Sequence, residues 1–344
     1  MEKLPDLGKI HPEFFKKFIY PRLGKEDASV IVKPQSGVDF GVVDLGRDVL
    51  VLSTDPFYIA RELGIEKAAW FAVHIIASDV AVSGIPPGYL SIDLNLPPEM
   101  TEDDLVAMWE TVDRECKKLG INVVTGHTAR YAGCNYPMVG GATMFGIDKK
   151  EKLIIPKARV GDAIIVSKGP AIETTGLMSA YFPKFLEAQY GAKFVKQAQD
   201  IYYQMSTVKD ALIAASVGGV TAMHDATEGG VLGGLYEIAA HSQVGMRVNL
   251  EDIVIQDEVK KTCACFDIDP YISISEGTLL ATAAKHEAQD IVDALAKENI
   301  SSSIAGEVVP EKEGLYVFEK DKKYKLEHPK ADPFWAKFEE YLKK

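Results

Sequence analysis

The 344-residue chain has only four cysteines, Cys116, Cys134, Cys263 and Cys265. They are too few and too unevenly spaced for a disulfide framework, which points to a reducing compartment. Cys263 and Cys265 form a C-x-C pair with no second pair or neighbouring histidine to complete a tetrahedral zinc site, so packing is the better reading. Positive charge is also short: 38 Lys and Arg face 50 Asp and Glu, a net charge of −12. That balance excludes a protein held to nucleic acid by its overall field. A small anion such as a nucleotide remains open, provided that metal ions or helix N-termini supply local positive potential. No stretch approaches the ~18 consecutive apolar residues of a membrane span, and Met1, Glu2 and Lys3 do not lead into a basic then apolar signal. A cytoplasmic protein with no membrane partner is the expectation. Low-complexity segments are absent.

What is present is the make-up of a globular protein, with 47% hydrophobic and 26% charged residues. The length predicts two domains, since single cores stop growing near ~250–300 residues. Residues 1–24 combine Pro5, Gly8, Pro12 and Pro21 with Phe14, Phe15, Phe18 and Tyr20 and read as an entry arm. From Ser29 the pattern is strand-like: SVIV, a tight turn at FGVVDLG, then a strand over 48–54 that ends at Thr54, Asp55 and Pro56. A buried helix follows over 65–83, stopped by Gly84, Pro86 and Pro87, and then a strand over 89–96. Thr101 and Asp104 begin a helix over 102–119, followed by strands at 121–127 and 136–147. The charged segment 148–162 breaks the pattern, and the domain boundary is placed near residue 155. The second domain, 156–325, is again mixed. It has strands at 163–169, 220–225, MRVNL, YISIS, TLLATAA, 302–309 and 314–319, and helices across 172–217, 228–242, 256–264 and 286–298. Residues 326–344 form an amphipathic tail with Phe334, Trp335, Phe338 and Tyr341.

Three acidic residues of the first domain stand at turns or element ends: Asp39, Asp55 and Asp79. Asp39 reads equally as a turn former and Asp55 as a pre-proline cap. Asp79 lies inside an apolar helix, where an unpaired charge is costly, so it needs a partner or a bound cation, and hard carboxylate oxygens suit Mg²⁺. Thr125-Gly126-His127-Thr128 presents a histidine after a strand, a weak signal alone. His74 reads as a core residue, and His224 is open between a structural and a chemical role. His224-Asp225-Ala226-Thr227-Glu228-Gly229-Gly230 is the most informative stretch: a strand delivers carboxylates, then a glycine pair allows close backbone approach at a helix start. The competing reading is an N-cap with packing glycines. Ser275-Glu276-Gly277 is a turn signal. The loop from Ser167-Lys168-Gly169-Pro170 to Thr174-Thr175-Gly176 is an anion-holding candidate that fits neither the P-loop nor the dinucleotide fingerprint.

Taken in order, Gly37-Val38-Asp39, Leu52-Ser53-Thr54-Asp55-Pro56, Ala77-Ser78-Asp79-Val80, Thr125-Gly126-His127-Thr128, Asp225-Ala226-Thr227-Glu228-Gly229-Gly230 and Ser275-Glu276-Gly277 resemble the aminoimidazole ribonucleotide synthetase (PurM-like) superfamily, over about residues 25–320. Its members include thiamine-monophosphate kinase, selenophosphate synthetase and the hydrogenase maturation protein HypE, the branch that this chain resembles most. The resemblance implies an α/β N-terminal domain whose strands join a partner subunit's in a dimeric β-barrel, with an α+β C-terminal domain alongside. It implies ATP and Mg²⁺ as cofactors, with Asp39, Asp55 and Asp79 as metal ligands and Lys25, Thr54, Gly126 and Thr128 joining them around the nucleotide. It further implies His127, Asp225 and Glu228 as catalytic residues and Gly229, Gly230 and Glu276 near a small-molecule substrate. The implied reaction is ATP-dependent activation or phosphorylation of a substrate oxygen, in a homodimer and with a maturation-partner protein in the HypE case. The alternatives are a small-molecule kinase of the thiamine-monophosphate kinase type and a non-catalytic ATP-binding partner in a maturation complex. Three departures stand out: no cysteine follows Cys265, where HypE has a C-terminal one; His127 replaces the aspartate of thiamine-monophosphate kinases; and no cysteine precedes Cys116, where selenophosphate synthetases have a reactive one.

Overall fold

The computed structural model describes residues 12–329 and 331–344. Pro5 and Gly8 of the predicted entry arm lie outside them. The arm that is described begins with α1 (Pro12–Phe14), which runs into a π-helical turn, Phe15–Ile19, and a 3-10 turn, Tyr20–Arg22.

The first sheet has six strands: β1 (Val30–Val32), β2 (Gly41–Asp44), β3 (Asp48–Tyr58), β4 (Tyr89–Leu96), β5 (Asn122–Arg130) and β6 (Met138–Lys149), in the order β1-β2-β3-β6-β4-β5. All neighbours are antiparallel except β4 and β5, whose parallel pairing needs the crossover helix α3 (Glu102–Leu119). Thr101 and Asp104 close a reciprocal capping box at its start, as the sequence predicts. Helix α2 (Ile65–Ala81) is buried along most of its length and packs on the same face of the sheet. The opposite face is open. Leu50, Leu52, Tyr89 and Phe145 are half-buried there, Ile147 is exposed, and β5 is exposed along nearly its whole length.

Two local expectations are corrected here. FGVVDLG is not a turn: Gly41–Asp44 forms β2, because Val42 and Val43 find ladder partners in Val51 and Leu50. Nor does β3 stop at Asp55. It continues to Tyr58 with Asp55 opposite Ala142 and Pro56 opposite Gly141, so Asp55 is mid-strand. The proline is tolerated because β2 pairs only as far as Leu52, which leaves that edge of β3 without a ladder neighbour at Pro56.

The second sheet has seven strands: β7 (Ala163–Ser167), β8 (Val220–Asp225), β9 (Gly245–Asn249), β10 (Leu279–Ala283), β11 (Ser302–Val309), β12 (Leu315–Glu319) and β13 (Lys322–Lys325), in the order β13-β12-β9-β11-β7-β10-β8. The predicted strand YISIS is instead a 3-10 turn, Pro270–Ile272, and a connection, with Asp269 capping Tyr271. Between these strands lie α4 (Ile172–Tyr181), α5 (Pro183–Tyr190), α6 (Ala192–Asp200), α7 (Val208–Val217), α8 (Gly230–Ser242), α9 (Asp257–Phe266) and α10 (Ala288–Lys297). The terminal helix α11 (Pro333–Leu342) places Phe338 and Tyr341 against Phe182, Phe185 and Phe266. Strand β7 is buried on both faces. Ile165 joins a core shared with α2 and α7, while Ile164 and Val166 join one that includes Leu235 of α8. No helix among the described residues is long and apolar enough to cross a membrane.

Candidate active site

The alternation of β3 sorts its side chains. Val49, Val51 and Ser53 are buried under α2, and Asp55 shares their face, whereas Thr54 is exposed on the other. Asp79, in the last turn of α2, accepts a 2.7 Å hydrogen bond from the Ser53 hydroxyl. Asp39 comes from the connection before β2, and Asp225 is the last residue of β8, fully buried. Glu276, in the loop before β10, is also buried, and its backbone N–H donates to a Glu173 carboxylate oxygen at 3.1 Å. Carboxylates from both sheets thus converge.

The electrostatics register this crowding. Burial raises the Asp79 pKa well above the usual carboxylate range, and the charges of Asp225, Asp55 and Asp39 add to the effect. Burial likewise raises Glu276, assisted by the charges of Asp225, Glu173 and Asp79. His224, 3% exposed, supplies the compensating positive charge. Its Nδ1 lies 2.7 Å from Asp39 Oδ2 and its Nε2 3.1 Å from Glu237 Oε2. Burial by itself would lower its pKa, but the two carboxylates outweigh that and raise it well above the ordinary value.

Ligand atoms of Asp39, His224 and Asp225 lie within 4.8 Å of one another. With an acceptor on each side, both ring nitrogens of His224 carry protons and neither is a metal ligand. Of that group Asp39 and Asp225 remain as donors, and the charges of Asp55, Asp39 and Asp225 act on Asp79; hard carboxylate oxygens of this kind are the donor chemistry that suits Mg²⁺.

The other predicted residues fall elsewhere. Thr54 and His127 line a cavity of about 400 Å³ on the open face of the first sheet, with Asp93, Thr125, Gly126 and Thr143. His127 Nε2 is 3.0 Å from the Tyr131 hydroxyl, and the two rings stack. This places His127 across the sheet from Asp55 and Asp79. Gly126 passes so close to Ile92 that an added Cβ would lie 2.6 Å from its carbonyl oxygen, and Thr128 is exposed on β5 opposite Leu94. Lys25 is exposed, with its ammonium 3.7 Å from Asp27. The glycine turn is held by the C-terminal segment: Gly229 N–H donates to Asp332 at 2.9 Å, and Trp335 Nε1 donates to Glu228 at 2.9 Å. Burial pushes Asp332 up to about 6.

The loop read as anion-holding is corrected. Lys168 commits its ammonium to Asp210 at 3.1 Å and to the carbonyls of Gln204 and Ser206, while Glu173 brings a carboxylate. The loop therefore lends negative charge to the cluster. Glu173, Glu237 and Ser53 join the site as well. Glu173 sits inside a stretch that the sequence marked, but Glu237 has no sequence signal at all.

Residues 37–152 match the family described as "AIR synthase related protein, N-terminal domain", and residues 159–318 its C-terminal domain counterpart. The chain belongs to the AIR synthase related family. Among curated relatives, the carbamoyl dehydratase HypE of Escherichia coli is 25% identical over 338 residues, covering 94% of this chain and 93% of its own. Among solved structures, the HypE–HypF complex superposes with a TM-score of 0.71 at 17% identity, covering 92% of this chain and 99% of the other. A hydrogenase maturation protein HypE in complex with ATP gives 0.67 at 20% identity over 93% of each chain. AaThiL complexed with AMPPCP and TMP gives 0.67 at 21% identity, covering 86% of this chain and 90% of the other. These likenesses show a two-domain PurM-like fold.

Proposed function

We propose that this protein is an ATP- and Mg²⁺-dependent enzyme of HypE-like type, which activates or phosphorylates an oxygen of a small substrate. The observation that carries the reading is the convergence of Asp39, Asp55 and Asp79 from the first domain with Asp225 and Glu276 from the second. The ATP-bound HypE and AMPPCP-bound AaThiL relatives of the same fold support it. Mg²⁺ held by these aspartates would neutralise charge on the nucleotide phosphates, which is where most of the catalysis of phosphoryl transfer lies. The chain's own groups do the rest. Ser53 fixes the orientation of Asp79, Asp225 and Glu276 bring buried carboxyl groups to the end of β8, and the turn at Gly229–Gly230 packs against Ser273 and Pro329 and so fixes the start of α8 beside them.

Calorimetric titration of ATP with and without Mg²⁺ tests the reading. A metal-dependent micromolar Kd, about −8 kcal/mol, is the expected result. Asp55→Asn, which removes a charge with little change in size, should weaken that binding more than tenfold in a folded protein; unchanged affinity would remove Asp55 from the metal site. A kinase of the AaThiL kind is distinguished by phosphate appearing on an added acceptor. A non-catalytic ATP-binding partner in a maturation complex is distinguished by ATP binding without ADP production when a maturation partner is supplied.

A homodimer is part of the proposal. Edge strand β5 and the open face beside it carry exposed Val123, Val124 and Ile147. Val124→Lys should lower the sedimentation coefficient from dimer to monomer, and an unchanged coefficient would place any dimer contact elsewhere.

A further inference from the structure

The contact between Asp39 and His224 joins the two domains. Asp39 lies in the connection between β1 and β2, outside any ladder, so its direction must be set by what it touches. The touching group is on β8: His224 Nδ1 donates to Asp39 Oδ2 at 2.7 Å. The other ring nitrogen donates to Glu237 Oε2 at 3.1 Å, and Glu237 Oε1 accepts in turn from His328 Nε2 at 3.2 Å.

Two glycines shape the same contact. Gly37, with φ of +76°, lies so close to α8 that a Cβ would be 2.8 Å from the Glu237 carbonyl oxygen. On α8 itself, a Cβ at Gly234 would lie 3.1 Å from His224 Cδ2, so the helix rests against the imidazole edge. The Asp39 loop is therefore docked on the C-terminal domain through its backbone at Gly37, against α8, and its side chain at Asp39, against β8. Both contacts lead to Glu237.

We propose that His224 and Glu237 form a latch, carried by the C-terminal domain, that fixes the Asp39 carboxylate for a divalent cation and makes assembly of the cation site depend on the two domains being closed together. This rests on the metal-site reading above and adds two positioning residues to it. With Oδ2 occupied by His224, Asp39 offers the cation its other oxygen, a one-sided ligand of fixed direction. Outer groups that orient ligands in this way typically govern metal affinity by 10–100-fold.

The test uses the full chain and Mn²⁺ as the probe, titrated alone by electron paramagnetic resonance and then with ATP by calorimetry. Glu237→Ala should weaken Mn²⁺ binding 10–100-fold. Glu237→Gln, which still accepts a hydrogen bond from His224, should recover most of that loss, a rescue that a purely structural role for the charge would not give. Wild-type affinity in a folded Glu237→Ala protein overturns the latch. Should that variant fail to fold, Gly37→Ala decides: it keeps both latch side chains but displaces the loop, and the same loss is expected, while unchanged affinity overturns the proposal. If the wild type binds Mn²⁺ but not ATP, the proposed function fails and the latch is judged on the variants alone. If it binds no Mn²⁺, the latch has nothing to position and falls.

Discussion

At Asp79, stability and function pull in opposite directions. Its carboxyl group is desolvated and faces three other acidic groups, with one hydroxyl hydrogen bond in return, so its ionised form costs the folded apoprotein stability. Asp79→Asn keeps the shape and removes the repulsion. It should raise the melting temperature of the apoprotein by roughly 2–4 °C for each 1 kcal/mol recovered, while abolishing Mg²⁺-dependent ATP binding. A melting temperature that falls would mean that the charge is compensated better than the hydrogen bonding implies. The sequence announces this residue clearly, because a lone aspartate in an apolar helix demands an explanation. It gives no sign of Glu237, an ordinary acidic residue on α8 whose partners come from β8 and from His328, far away in the chain.

Among the elements, those with strong local signals are read nearly to the residue: α3 with its capping box, β8, and α8 after its glycine pair. Misreadings occur where tertiary pairing overrides a local cue. A proline suggests a strand end, yet β3 continues through Pro56, and the Ile and Ser alternation of YISIS suggests a strand where Asp269 instead caps a 3-10 turn. β13 offers no local cue to read: KKYK has no apolar alternation, and its four residues are all exposed. The turn into α8 gives a test at this scale. Gly230 has φ of +61°, and a Cβ there would lie 2.6 Å from the Ser273 carbonyl oxygen, whereas Gly46, with φ of +94°, has open space around it. Gly230→Ala and Gly46→Ala both incur backbone strain of about 1–3 kcal/mol, but only the first must also move the chain around Ser273. Urea midpoints should therefore fall further for Gly230→Ala. Equal falls would show that the turn yields freely.

Across the whole molecule, the two domains meet along α2. His74 Nδ1 lies 2.9 Å from the Ser206 hydroxyl, Ser78 Oγ accepts from the Thr207 N–H, and the Tyr202 hydroxyl donates to the Lys67 carbonyl. Trp70 stacks on His74 with ring centroids 4.2 Å apart. Burial lowers the His74 pKa to about 4, even though Glu115 pulls the other way. Between pH 6.5 and 4 the unfolded chain therefore binds a proton at this site that the folded chain does not, so stability rises with pH across that window. The difference amounts to about 3 kcal/mol, fully present above pH 6.5 and lost as the pH falls to 4. Urea midpoints at pH 7 and pH 4.5 should differ by less in His74→Asn than in the wild type. An equal difference would assign the acid sensitivity to other groups.

One strand of the first sheet borders two compartments. Thr54 faces the cavity that contains His127, and its neighbour Asp55 faces the carboxylates. A single-residue insertion in β3 ahead of them would exchange their compartments, putting a hydroxyl among the aspartates and a carboxylate beside the histidine, and would turn every hydrophobic residue beyond it to the wrong side as well. An inserted residue would therefore be tolerated only in the connections around β2 and after Tyr58, and β3 behaves as a ruler that keeps both compartments in phase.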